Sequence, residues 1–252
     1  MASPMHQFEI APLVPFMAGS LDLSFTNSSL WMMITVFVSV VFFSIAVSPK
    51  AIIPGRMQVM AEGAYNFVAN LITDNMGGPD GKRGKEYFPL IFTLFMFVFL
   101  GNALGLIPYS FTYTSHLAVT AGLALLVFFA VLIIGLIRHG FHFFSLFAPS
   151  GVPGWLMPLV VMIEFVSFLS RPITLSVRLF ANMVAGHVLL KVIAGFCIMF
   201  ATIGGAAWLG VILPVAMNVV MLGFELFIAF IQAYVFAVLT CIYLKDTIEI
   251  EH

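Results

Sequence analysis

The 252-residue sequence predicts an all-α membrane protein: five transmembrane elements, an amphipathic surface helix, and a closing hairpin of two long tilted helices. Three observations carry that prediction. First, 62% of residues are hydrophobic, 8% are charged and mean hydropathy is +1.13, whereas a soluble domain carries about 25% charge. Second, uncharged runs recur near the ~20 residues that a spanning helix needs. Third, the final hundred residues hold two apolar segments of double that length, each with polar groups inside. Nearly all the mass is apolar and helix-length, so residues 1–252 read as a single integral membrane domain.

Residues 1–29 lack Lys and Arg and carry only Glu9 and Asp22. A cleaved secretory signal would begin with a basic region, so this is read as a mature external segment. Uncharged runs at 30–48, 88–107 and 117–137 give three simple spans within 30–137. The connection at 49–87 carries Lys50, Arg56, Lys82, Arg83 and Lys85 among four acids. Such basic enrichment places that loop in the cytoplasm, the N-terminus outside, and Arg138 on the cytoplasmic side. Within the loop, residues 57–72 are moderately apolar and are expected on the membrane surface or against a neighbour.

Residues 157–196 and 206–244 are each about 40 long, and a straight helix of that length runs ~60 Å, twice the hydrocarbon thickness. Each is therefore a steeply tilted helix or a broken one, with Pro172 and Pro214 as candidate kinks. Gly204-Gly205 is the natural turn, making 157–245 an antiparallel hairpin with both far ends cytoplasmic.

Polar residues on this hairpin recur every seven positions, as Glu164, Arg171, Arg178 and as Asn218, Glu225, Gln232. Seven residues is nearly two turns, so each set forms a stripe. Counting from Gly205 sets Arg178 level with Gln232 and His187 near Glu225. A titratable pair above a permanently charged guanidinium, with Glu164 toward the cytoplasm, has the parts of a proton path interrupted by a charge barrier. The competing reading is a set of structural polar pairs holding a bundle together. For Arg178 that reading is the weaker, because no carboxylate of its own hairpin is expected level with it.

Thr174-Leu-Ser-Val-Arg-Leu-Phe-Ala-Asn-Met183, continuing Val-Ala-Gly-His187, resembles the signature of subunit a of F-type ATP synthases. Ile231-Gln-Ala-Tyr-Val-Phe-Ala-Val-Leu-Thr240 is similar to that family's last helix, and Leu100-Gly-Asn-Ala-Leu-Gly-Leu-Ile-Pro108 to an earlier span. The resemblance covers most of the chain from Pro49 onward. It implies a membrane stator in a bacterial plasma membrane, with c-ring and b-type peripheral-stalk subunits as partners and protons as cargo. It also implies two long helices curving round the ring and two aqueous half-channels that do not meet. By the same resemblance Arg178 is the essential arginine, Asn182 and Gln232 are its polar neighbours, and His187 and Glu225 belong to the outer half-channel. Many bacterial members carry an acid in place of His187 and a histidine in place of Glu225. The exchanged pair here resembles alphaproteobacterial and mitochondrial members and argues for contact between the two positions.

Other classes fare less well. His139 and His142 have the spacing of a metal pair, but interfacial histidines beside Arg138 account for them. A haem-binding subunit needs two facing mid-membrane histidines, and only His187 is so placed. A proton-coupled solute carrier would show an internal repeat, of which the paired stripes are a faint trace. Gly101 and Gly105 form a small-xxx-small packing pattern, and Cys197 and Cys241 read as packing residues. Arg171 and Lys191 have two readings each, snorkelling or a channel role. No Gly-x-x-x-x-Gly-Lys-Ser/Thr loop occurs, so no nucleotide chemistry, cofactor or nucleic-acid partner is expected of the chain.

Overall fold

The computed structural model describes residues 9–18, 21–22, 24–47, 54–77, 84–107, 110–140, 143 and 153–248. Lys50, Lys82, Arg83 and His142, named above, lie outside them. Among the described residues six α-helices run in order as α1 (Asn27–Val47), α2 (Arg56–Met76), α3 (Phe88–Gly105), α4 (Leu117–His139), α5 (Met157–Ile203) and α6 (Ile212–Ile248). Five are long and apolar enough to cross a membrane, α2 being the exception. The protein is all-α with multiple apolar spans, as its composition requires. Among the described residues before α1 are four minute strands: β1 (Pro12–Val14) pairs with β4 (Phe25–Thr26), and β2 (Met17–Ala18) with β3 (Leu21–Asp22), all antiparallel.

Both long segments are unbroken helices. α5 runs through Pro172 for 47 residues, about 70 Å at 1.5 Å per residue. Proline there removes the backbone hydrogen bond that Phe168 O would accept, while neighbouring hydroxyls bond other carbonyls of the same turns. Ser170 Oγ donates to Ser167 O at 2.8 Å, and Thr174 Oγ1 to Ser170 O at 2.7 Å. Pro214 falls in the first turn of α6, where its missing N–H costs nothing. Between the helices Gly204 takes a positive φ of 72°, a conformation that glycine adopts without a Cβ penalty. A 3₁₀ segment, Gly205–Val211, then follows.

Contacts within the chain form two units. The first comprises Met1–Ile53, Met96–His116 and Leu179–Ala233. Here Asn27 ties the N-terminal strands to α1, its Nδ2 donating to Glu9 O at 3.0 Å and its Oδ1 accepting from Ala11 N at 3.3 Å. Tyr113, fully buried in a 3₁₀ turn (Tyr113–Ser115), donates its hydroxyl hydrogen to Phe97 O at 2.9 Å. The second unit comprises Pro54–Phe95, Leu117–Arg178 and Tyr234–His252. In it α2 packs against neighbouring helices: Phe67 lies 5.5 Å from Phe95 and 5.9 Å from Tyr234, ring to ring, and Val68, Leu71 and Ile72 are buried. Phe168 of α5 packs on Phe128 of α4 at 4.8 Å.

Candidate functional site

In the first unit, the C-terminal end of α3 and the segment after it bring hydroxyls against α5. The last helical carbonyls of α3 have no N–H one turn ahead to bond them. One of them, Gly105 O, accepts from Ser110 Oγ at 2.9 Å and Thr112 Oγ1 at 3.1 Å. The chain comes this close because Gly101 and Gly105 have no side chains: a Cβ at Gly101 would collide with the Tyr113 ring and hydroxyl, and one at Gly105 with Thr112. The small-xxx-small pattern thus admits a loop rather than a second helix. Thr112 Oγ1 also lies 2.9 Å from His187 Nε2. Two residues later, past Tyr113, Thr114 Oγ1 donates to Asn102 Oδ1 at 2.7 Å, and both residues are fully buried.

Glu225 of α6 is buried and lies against the backbone beside His187. A Cβ on Gly186 would stand 2.7 Å from Glu225 Oε1, so a side chain at 186 would force the carboxyl to shift from its present place. That oxygen is enclosed without a hydrogen-bond partner among the described residues. Lys191, one turn beyond His187 on α5, acts electrostatically on the imidazole.

Asn182 Nδ2 donates to Gln232 Oε1 at 2.9 Å, joining α5 to the buried Gln232 of α6. This sets Gln232 level with Asn182, a full turn from the level that counting from Gly205 gives. The hairpin turns through the seven-residue 3₁₀ segment rather than at two glycines, so its centre lies later in the chain. Asn218 is half-buried, with its Oδ1 enclosed and unbonded among the described residues.

In the second unit, Arg178 is exposed on α5 and forms no ion pair with a carboxylate among the described residues. Its charge acts on Tyr243, as does that of Arg171. Arg171, seven residues earlier, is held instead by Asp246 Oδ2 at 3.2 Å and by the Tyr243 ring, whose centroid lies 4.8 Å from the guanidinium carbon. Glu164 is half-buried near the start of α5.

Sequence reasoning passed over Thr112 and Asp246. A threonine after a Pro-Tyr-Ser loop reads as turn chemistry, and an aspartate 75 positions from Arg171 has no spacing rule to connect them. The run of hydroxyls at Ser110, Thr112, Thr114 and Ser115 beside an apolar span was the available signal.

Residues 29–245 match a family model described as ATP synthase A chain. The ATP synthase subunit a of Rhodospirillum rubrum is 55% identical, the alignment covering 99% of this chain and 99% of the relative. That of Chelativorans sp. (strain BNC1) is 53% identical over 99% of this chain and 98% of the relative. That of Rhizobium leguminosarum bv. trifolii (strain WSM2304) is 54% identical over 98% and 97% respectively.

Proposed function

The chain belongs to the ATP synthase A chain family, and from that premise we propose that it is the proton-translocating stator of an F-type ATP synthase. It is not catalytic by itself. It supplies two offset half-channels to a ring of c subunits in a bacterial inner membrane, with the peripheral stalk as a second partner, its N-terminus outside and its C-terminus in the cytoplasm. Arg178 separates the half-channels; Asn182 and Gln232 flank it; His187, Glu225 and Asn218 serve the outer path, and Glu164 the inner one.

The observation that carries this reading is the exposed Arg178 on an apolar helix, with no carboxylate paired to it among the described residues. A permanent cation at membrane depth is costly and needs a counter-charge from another chain. A ring carboxylate answers that need and gives the mechanism. Beside Arg178 the carboxylate is favoured in its charged form and gives up its proton. Protonated, it can turn into lipid; charged, it cannot. Protons therefore enter by one half-channel, ride the ring neutralised and leave by the other, while the guanidinium blocks a direct leak. One charge crossing 100 mV yields ~2.3 kcal/mol, so several must pass for each ATP made.

The test is Arg178→Ala in the assembled complex. ATP-driven proton pumping and ATP synthesis should both vanish while assembly persists. Arg178→Lys should rescue poorly, because a lysine loses its proton readily on burial and lacks the planar fork. Wild-type pumping by an assembled Arg178→Ala complex overturns the barrier role.

A further inference from the structure

Tyr243 of α6 faces the two arginines of α5. Its ring lies 4.8 Å from the Arg171 guanidinium carbon, and Asp246, one turn on along α6, holds the same guanidinium at 3.2 Å. α5 and α6 follow each other through a short 3₁₀ turn and run antiparallel. Side chains on a helix lean toward its N-terminus. From the level of Arg171, Tyr243 therefore leans along α6 in the direction of Arg178, while Arg178, about two turns further along α5, leans back toward Tyr243. The two side chains converge, and the charges of Arg171, Arg178 and Asp246 all act on the phenol. From α4, the cavity beside the ring is lined by Ala124, Val127, Phe128 and Val131, which add no charge.

A guanidinium has five N–H donors and no acceptor, so it needs oxygen lone pairs around it. Arg178 is exposed on an apolar helix and makes no hydrogen bond through its side chain among the described residues. Tyr243 is half-buried, and its hydroxyl is likewise unbonded among them. Asp246 is already engaged by Arg171. A phenol oxygen offers lone pairs without a charge. It can hold a guanidinium without neutralising it, and it yields to a carboxylate, whose bond to the same cation is the stronger.

We infer that Tyr243 is a positioning residue for Arg178: its hydroxyl oxygen accepts a hydrogen bond from the guanidinium whenever no ring carboxylate faces it, and so keeps the charge at the inner half-channel between passages. The inference rests on the barrier role proposed above for Arg178. It adds the group that takes the arginine over as each carboxylate departs.

The experiment uses the assembled complex in membrane vesicles, with proton flux per complex measured across pH. Tyr243→Phe keeps the ring on Arg171 and removes only the hydroxyl, so thermal inactivation should match wild type. With its alternative partner gone, the guanidinium holds each ring carboxylate longer and favours its charged form. The carboxylate then takes up a proton only at lower pH. Flux at neutral pH should fall roughly tenfold and its pH profile should move down by about one unit, the scale of one hydrogen bond to a charged group. Tyr243→Gln, which supplies an acceptor without the ring, should regain part of the flux and bring the profile back. A Tyr243→Phe complex with wild-type flux and profile overturns the inference. If neither variant assembles, a structure of the wild-type complex with its ring is the test: the phenol oxygen should lie within hydrogen-bond reach of Arg178 when no carboxylate does, and a phenol turned away at every ring position overturns the inference. Wild-type pumping by Arg178→Ala, by contrast, sinks the barrier reading itself and this role along with it.

Discussion

Arg171 and Asp246, 75 positions apart, form an ion pair 3.2 Å long that ties α5 to the last turn of α6. Tyr243, one turn before Asp246, lays its ring against the same guanidinium. The arginine thus has a structural partner on the described chain, which Arg178 lacks. Both groups are partly enclosed, so removing one partner costs more than at an exposed pair and less than at a fully buried one. Asp246→Asn should destabilise the assembled complex by about 1–2 kcal/mol and leave flux per surviving complex near wild type. Thermal inactivation of the complex in detergent reads the first, vesicle flux the second. In a double-mutant cycle with Arg171→Gln the two losses should not add. Strict additivity would dissolve the pair as an energetic unit.

Gly186 sets how close the Glu225 carboxyl can come to α5. Gly186→Ala places a methyl 2.7 Å from Oε1 and 2.9 Å from the neighbouring Cδ, both shorter than any ordinary contact. The carboxyl must swing away, at a cost of roughly 1–3 kcal/mol typical of overpacking. Alanine is the better helix former, so the helix itself gains. Assembly should survive while flux falls, and flux normalised to assembled complex separates the two effects. Undiminished flux would mean that the close approach has no bearing on transport.

His116 closes the 3₁₀ turn ahead of α4, outside the spanning segments, stacked on Phe111 at 5.1 Å. Burial pushes its pKa below the usual 6.5, disfavouring the charged ring. The unfolded chain then binds more protons than the folded one as pH falls. Its contribution to stability is whole above 6.5 and is lost as pH drops from there through the lowered folded value. His116→Gln should flatten the acid side of the stability profile of the complex, followed by thermal inactivation between pH 8 and pH 5. An unchanged profile would assign the acid sensitivity to other groups.

The parts of the fold that hydropathy controls were legible. The three simple spans begin or end within a few residues of the uncharged runs, because removing apolar length from water fixes helix length almost by itself. The unbroken course of α5 was not legible: Pro172 ordinarily kinks or breaks a helix, and only the structure shows the helix running through it for 47 residues. The strands before α1 are two or three residues long, too short for alternation to register. In the site, Arg178, His187, Glu225 and Gln232 stand out as polar groups in apolar runs. Thr112 does not, because its importance lies in a loop closing over two glycines, a relation between segments that no local pattern encodes.

Whether His187 and Glu225 work as one relay can be tested by exchanging them. The Glu225 carboxyl lies against Gly186, the residue before His187, so the two side chains start from adjoining points on the hairpin. Family members that carry the two residue types in reverse order suggest that having both matters more than which helix bears which. His187→Ala and Glu225→Ala should each depress proton flux. His187→Glu alone leaves two carboxyls competing in one enclosed space, where like charges cannot both ionise cheaply, and should be worse than a simple loss of the ring. Adding Glu225→His restores one acid and one base, and the double exchange should recover part of the flux, a non-additivity that only coupled groups produce. Full recovery is not expected, because a carboxylate at position 187 differs in shape and in donor capacity from the imidazole whose Nε2 lies 2.9 Å from Thr112 Oγ1. The pH dependence of flux should move as well, since each group would titrate in new surroundings. Proton conductance in vesicles, corrected for assembled complex, is the measurement. A double exchange no better than the poorer single mutant leaves His187 as a packing residue held by Thr112, and the relay has to be sought along another set of side chains.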